Sequence, residues 1–453
     1  MQLIKFILNQ LSDLSISSGL ITKFVQAIAS PISAVLVLLH FAPELQGYYY
    51  TFSSLLALQI FVELGLSTAI TVFAGHEWAS LSLDSKGCVV GRSKSYFRLA
   101  ELVKKALRWY LISACVLVVV LAFSGIFLLG RAPAATDINW ISPWLVLCIL
   151  SAGTLALTPG WAILIGCDQV ARVNVYRAAE TVGRSIILWL AIIGGAQLWS
   201  LAIAAAFSLL FACIFLGWTY RNFFLGLLRE KDSCALDWKK EILPLQIRYA
   251  VSWISGYFAF SVFTPVTFHF LGPVAAGKMG MSWAIVSGIS GLAATWIQVR
   301  APSFGSLVAQ RAFGALDQLA LQTARIAVFV AALSTIGAIL ALLALASIRP
   351  DMAARLLPLP LLAIFMVAEI FHQIPMVQSS YLRAFKKEPF LIISAVTGLT
   401  IGVGTFVLTS WIGQAGPAIS YFIGVSISLL WGSCIFWQCW RKWTFPRENT
   451  GSS

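Results

Sequence analysis

Charge is what this 453-residue chain has least of: only 11% of its residues are Asp, Glu, Lys or Arg, where a soluble globular domain carries about 25%. That scarcity excludes an ordinary water-soluble domain. Acidic residues are rarer than basic ones, 18 against 31, and histidine occurs four times. A zinc-protease helix is missing, because His76-Glu77-Trp78-Ala79-Ser80 lacks the second histidine. A phosphate-binding loop is missing too. Gly87-Cys88-Val89-Val90-Gly91-Arg92-Ser93 has one residue too few between its glycines and an Arg where Lys is required, so it reads as a flexible inner loop and no ATP site is expected. The eight cysteines, at 88, 115, 148, 167, 213, 234, 434 and 439, fall in apolar runs or inner loops and suggest neither disulfides nor a metal site. Long polar segments are also lacking. The largest inner loops run to about 30 residues, too short to fold as catalytic domains, so the chain is not read as an enzyme.

What is present is apolar sequence: 59% of residues are hydrophobic and the mean hydropathy is +0.86. A spanning helix needs roughly 20 apolar residues, since only a helix satisfies its own backbone polar groups in hydrocarbon. Twelve stretches qualify, at 18–40, 47–74, 109–130, 143–166, 178–196, 199–219, 249–271, 279–299, 324–347, 359–382, 389–411 and 417–439. Short cytoplasmic loops retain positive charge. With the N-terminus inside, 25 of the 31 basic residues fall on the cytoplasmic side and four, Arg131, Lys278, Arg349 and Arg355, on the other. Both termini are therefore expected in the cytoplasm. The net charge of +13 then faces an anionic leaflet, worth about 1 kcal/mol per cation, and implies membrane lipids as partners and no nucleic acid.

The expected architecture is an all-α integral membrane protein, with twelve transmembrane helices in two pseudo-symmetric six-helix bundles around a central cavity. Residues 1–17 read as an interfacial segment, 18–219 as the first bundle, 220–248 as a cytoplasmic linker, 249–440 as the second bundle and 441–453 as a cytoplasmic tail. The symmetry rests on a repeat. His40-Phe41-Ala42-Pro43-Glu44-Leu45-Gln46-Gly47 and His269-Phe270-Leu271-Gly272-Pro273-Val274-Ala275-Ala276-Gly277 both read His-Phe, then Pro, then Gly four residues later. Pro159 and Pro375 occupy the fourth span of each half. Repeats of even span number are parallel, as in transporters that rock two bundles around a site.

An ionisable side chain at mid-bilayer costs about 2.5–3.5 kcal/mol on insertion scales and marks a functional candidate. Glu369 lies ten residues into the tenth span, about 15 Å deep at 1.5 Å per residue. His372 and Gln373 follow at i+3 and i+4 and share its face. A carboxylate and an imidazole at one depth can pass a proton as access changes, which nominates Glu369, His372 and Gln373 for proton or ion coupling; a neutral pair fastening two helices is the alternative. Gln59, Glu63, Ser67 and Thr71 recur every fourth residue along the second span, a polar line that faces protein or water. Lys23, Gln26, Ser30 and Ser33 draw a similar line on the first, with Lys23 either in the cavity or snorkelling to the inner boundary. Glu180 and Arg184, at i,i+4, are expected to pair. Trp140, Trp144, Trp199, Trp411 and Trp440 fall at expected interfaces as anchors.

Three stretches carry a resemblance: Phe61-Val62-Glu63-Leu64-Gly65-Leu66-Ser67-Thr68 leading into His76-Glu77-Trp78, then Gly272-Pro273-Val274-Ala275-Ala276-Gly277-Lys278-Met279-Gly280-Met281, then Arg300-Ala301-Pro302-Ser303-Phe304-Gly305. The chain resembles bacterial polysaccharide exporters of the multidrug, oligosaccharidyl-lipid and polysaccharide (MOP) exporter superfamily. The resemblance implies a flippase in the bacterial cell inner membrane. Its cargo would be a polyprenyl-diphosphate-linked oligosaccharide, such as an O-antigen (lipopolysaccharide), capsule or exopolysaccharide repeat unit, moved by alternating access, with other polysaccharide-assembly membrane proteins as partners. Lys23, Gln26, Gln59, Glu63, Arg184 and Arg300 would line the substrate cavity, though such flippases present several cations to the diphosphate and here only Lys23, Arg184 and Arg300 could serve. Export of two negative charges is favoured by about 2.3 kcal/mol per charge per 100 mV, so no cofactor is expected and H+ or Na+ coupling is optional. The alternative is a cation-coupled multidrug exporter of the same superfamily, with Glu63 and Glu369 binding the cation.

Overall fold

The computed structural model describes residues 29–130, 138–230, 238–385 and 387–444. The expected interfacial segment and most of the first span, Lys23 and Gln26 included, lie outside the described residues. Within them the architecture is all-α and built for a membrane. Eight helices are long and apolar enough to cross one, or nine when a bent pair is taken as a single span.

The twelve expected spans map onto helices as follows. The described part of the first is α1 (Ala29–His40). The second is divided into α2 (Pro43–Leu56), α3 (Gln59–Glu63) and α4 (Leu66–Trp78). The third to sixth are α5 (Ser93–Leu129), α6 (Ile141–Gly166), α7 (Val170–Ile193) and α8 (Trp199–Thr219), followed by a short α9 (Arg221–Arg229) and α10 (Trp238–Glu241). α11 (Leu243–Phe260) and α12 (Phe263–Ala309) together carry the seventh and eighth. The rest are α13 (Phe313–Ile348), α14 (Pro350–Ala353), a single turn, then α15 (Leu359–Arg383), α16 (Leu391–Ile412) and α17 (Ala415–Thr444). α7 is absent from the apolar set; Arg172, Arg177, Glu180 and Arg184 lie along it.

Two features depart from a simple bundle. First, the stretch read as a flexible inner loop is an antiparallel hairpin, β1 (Leu81–Leu83) paired with β2 (Val89–Gly91). Asp84 closes its turn: Oδ1 accepts the backbone N–H groups of Lys86 and Cys88 at 2.9 and 2.7 Å, an Asx arrangement that three-residue strands leave hidden from periodicity. Second, the second span is not continuous. Leu64 (φ 51°, ψ 34°) and Gly65 (φ 68°, ψ 16°) are both left-handed, and α2–α3 meets α4 at a bend of 49°.

The repeat coincides with breaks in the helical path. α1 ends at His40, and Pro43 opens α2 at a first-turn position, where its missing N–H costs nothing and Glu44 faces the positive helix end. In the second copy Gly272 sits at φ 80°, ψ −178°, inside the limits of α12. That region is essentially glycine-only, and Pro273 resumes the helix. The other repeated prolines, Pro159 and Pro375, are both buried inside helices, α6 and α15.

The chain divides by packing into two compact units, 1–257 and 258–453, with the boundary inside α11. In the first, α6 packs against α4, α5 and α8, and α7 lies on α8. In the second, α17 packs against α15 and α16, and α13 against α12 and α15. The core of the second unit joins Phe263, Met279, Val286, Phe365, Met366 and Tyr421, with a further cluster around Phe304, Leu316 and Tyr381. Outward faces are apolar: Phe123 on α5 is 71% exposed and Phe329 on α13 is 65%, as lipid-facing positions require. Trp411 fits an interfacial anchor, but Trp144 does not. It is fully buried and donates to the Leu121 carbonyl at 3.2 Å, since α5 comes close enough at Gly125 to cover it.

Candidate functional site

The second unit holds an ionisable group deep inside its core. Glu369 stands ten residues after the start of α15, about 15 Å along the helix, and is 1% exposed. A buried carboxylate needs donors, and three surround it. The Tyr421 hydroxyl on α17 donates to Oε2 at 2.5 Å, Gln373 Nε2 donates to Oε1 at 3.0 Å, and His372 Nδ1 lies 3.3 Å from Oε1. His372 and Gln373 reach the carboxylate because helical spacing stacks i, i+3 and i+4 on one face. The structure thus brings together all three residues nominated for coupling.

Each neighbour has its own character. Gln373 is fully buried, and its Oε1 has no donor among the described residues, leaving an acceptor beside the carboxylate. His372 is 19% exposed at its side chain and packs against Phe260 at 5.7 Å between ring centres. It is the least buried member of the set. Tyr421 is enclosed by Phe263, Trp283 and Phe365, with ring centres at 5.8, 5.3 and 5.6 Å. This aromatic wall keeps the site's dielectric low, which strengthens every charge–dipole contact in it.

The first unit has a carboxylate–tyrosine contact of its own. Glu63, 6% exposed, ends α3 where the left-handed pair breaks the helix, and accepts from the Tyr110 hydroxyl of α5 at 3.3 Å. A helix interruption frees backbone groups within a span, the arrangement transporters use around midplane sites. The break also disrupts the polar line expected along this span. Gln59 is half-buried. Thr71 donates to the carbonyls of Ser67 and Ala162 at 3.0 and 3.1 Å, fastening α4 to α6.

Of the expected cations, Lys23 lies outside the described residues and the other two have separate surroundings. Arg184 is exposed on α7, and its expected partner Glu180 instead accepts from Ser208 of α8 at 2.5 Å: packing across the α7–α8 seam displaces the local pair. Arg300 is buried, at 5% exposure, and donates to Thr323 Oγ1 at 3.1 Å; Thr323 in turn donates to the Leu319 carbonyl at 2.6 Å. Gln59 and Glu63 belong to the first unit and Arg300 to the second. Tyr421 and Tyr110 escaped sequence reasoning, since a tyrosine in an apolar run looks like packing and its partner lies tens of residues away.

Solved structures resemble this one over nearly its whole length. An inward-facing multidrug resistance MATE family transporter of the MOP superfamily aligns with a TM-score of 0.65 and 13% identity, covering 94% of this chain and 99% of that one. The chain has the fold of MOP transporters. An outward-facing MATE family transporter of that superfamily gives 0.58 and 17% identity, over 95% of each chain. A MOP superfamily transporter from Pyrococcus furiosus, whose binding pocket is described as of reverse polarity, gives 0.55 and 14%, again over 95% of each. No protein-family model and no curated protein sequence matches this one. Two of the three stretches behind the polysaccharide-exporter resemblance fall on the breaks of this fold, at Leu64–Gly65 and at Gly272. Backbone geometry accounts for them without reference to cargo.

Proposed function

We propose that this protein is a cation-coupled exporter working by alternating access, with Glu369 as the coupling group and an organic cation as cargo. One observation carries the reading. Among the described residues, the buried acidic groups with convergent donors are carboxylates, Glu369 above all, whereas of the basic residues expected at a diphosphate Arg184 is exposed and Arg300 is engaged with Thr323. Buried negative charge suits a cation and opposes a diphosphate. Glu369 with Gln373 Oε1 offers acceptors to a proton or Na+, and His372 connects them to the less buried side. Glu369 neutralised by its ion in one state, and hydrogen-bonded by the neutral donors Tyr421 and Gln373 in the other, gives the differential interaction that a driven conformational change needs.

The second reading is the lipid-linked oligosaccharide flippase of the inner membrane, favoured by the Arg300–Gly305 stretch, which no helix break explains. Deleting the gene separates the two. Sensitivity to toxic organic cations with intact surface polysaccharide supports the exporter, restored by wild-type protein but not by Glu369→Gln. Loss of surface polysaccharide with unchanged cation resistance overturns it in favour of the flippase.

A further inference from the structure

We propose that the first unit carries a separate, built site for one anionic phospholipid, with an acyl chain in an apolar cavity and the phosphate held by Arg221 and Arg229. The cavity has a volume of about 580 Å³, inside the roughly 300–1,000 Å³ range of small-molecule sites. Its walls come from Val103 and Leu107 of α5, Leu157 and Pro159 of α6, and Cys213 and Leu216 of α8. Room arises where side chains are missing: Gly217 lines the cavity, and a Cβ added there would meet nothing within 4 Å.

The roof is α9, Arg221-Asn222-Phe223-Phe224-Leu225-Gly226-Leu227-Leu228-Arg229. Phe223 and Leu227 are buried and anchor it, at 1% and 0% exposure. Phe224, Leu225 and Leu228 line the cavity, and Arg221 and Arg229, also lining it, are exposed at the two ends of the helix. Three contacts fix the roof in place. Asn222 donates to the Lys86 carbonyl at 2.9 Å, Tyr220 just before the helix donates to Gln169 at 3.2 Å, and the Lys104 ammonium donates to the Glu230 carbonyl just after it. Neither arginine pairs with a carboxylate among the described residues.

Charge complementarity selects the occupant. An apolar cavity does not hold water well, and two guanidinium groups above it, at the membrane surface where the chain concentrates its basic residues, match a phosphate over a hydrocarbon tail. A neutral apolar molecule would leave both cations unused. A basic pocket between spanning helices is the form that recognition of anionic lipids takes.

The test is native mass spectrometry of the detergent-purified full chain, titrated with phosphatidylglycerol or phosphatidylethanolamine of identical acyl chains. Wild-type protein should retain one phosphatidylglycerol with roughly tenfold preference, the scale of basic contacts at a membrane surface. Arg221→Gln with Arg229→Gln should abolish the preference, and Gly217→Trp should abolish retention of either lipid. Cys213 gives a readout without mutation: phosphatidylglycerol should slow its maleimide labelling several-fold, leaving that of Cys115, exposed on α5 outside the cavity, unchanged. Equal retention of both lipids by the wild type, undiminished retention by folded Gly217→Trp, or unslowed Cys213 labelling overturns the proposal. Protection of Cys213 by a prenyl diphosphate but not by phosphatidylglycerol also overturns it, assigning the cavity to a cargo tail.

Discussion

Tyr421 does for Glu369 what solvent would do at the surface. Its hydroxyl lies 2.5 Å from Oε2, and a hydrogen bond to a charged group is worth about 1.5–3 kcal/mol. Tyr421→Phe should therefore leave the protein folded, because the ring and its aromatic neighbours remain, while changing the apparent affinity for the coupling ion roughly ten- to hundredfold. Transport measured against ion concentration checks this, and an unchanged ion dependence would remove Tyr421 from the site. His372 is a different case. Its partial exposure and its place beside Oε1 predict that His372→Ala slows transport driven by a proton gradient while leaving Glu369 buried and bonded to Tyr421 and Gln373; transport at wild-type rate would make His372 only a packing residue.

At the scale of elements, the broken second span decides where Glu63 stands. Gly65 is left-handed at φ 68°, and a Cβ there would lie 2.7 Å from Tyr249 Cβ. Gly65→Ala thus carries both backbone strain, about 1–3 kcal/mol for a non-glycine residue in a sparse region, and a steric conflict with α11. The expected result is a thermal midpoint in detergent several degrees below wild type, with transport reduced beyond what the surviving folded fraction explains. An unaltered midpoint would mean that the break tolerates a side chain. Near the hairpin, Arg98 joins elements instead of separating them: its guanidinium contacts Glu77 at the end of α4 and Glu241 at the end of α10, at 2.7 and 2.5 Å.

Across the whole molecule, the sparse and uneven set of charges is the ground on which we propose the threading, with both termini in the cytoplasm. Each inner loop keeps its basic residues because moving them across the bilayer is costly, so orientation follows from the sum over loops. Reporter fusions after Arg108 and after Pro133 should signal cytoplasm and periplasm respectively, and the opposite result would invert the threading.

Hydropathy and helical spacing are local properties, so the chain's own pattern made legible a helical membrane protein and placed His372 and Gln373 beside Glu369 on one helix face. Proline and glycine in the repeat likewise marked breaks, at Pro43 and Gly272, through backbone preferences that need no tertiary context. The partners came from the folded arrangement. Tyr421 is 52 residues from Glu369 and Tyr110 is 47 from Glu63; Glu180 prefers Ser208, 28 residues away, to Arg184 one turn on. Which side chains meet across a helix seam depends on packing and rotation of whole helices, which no periodicity encodes, and for the same reason the cavity under α9 has no signature in the chain that folds around it.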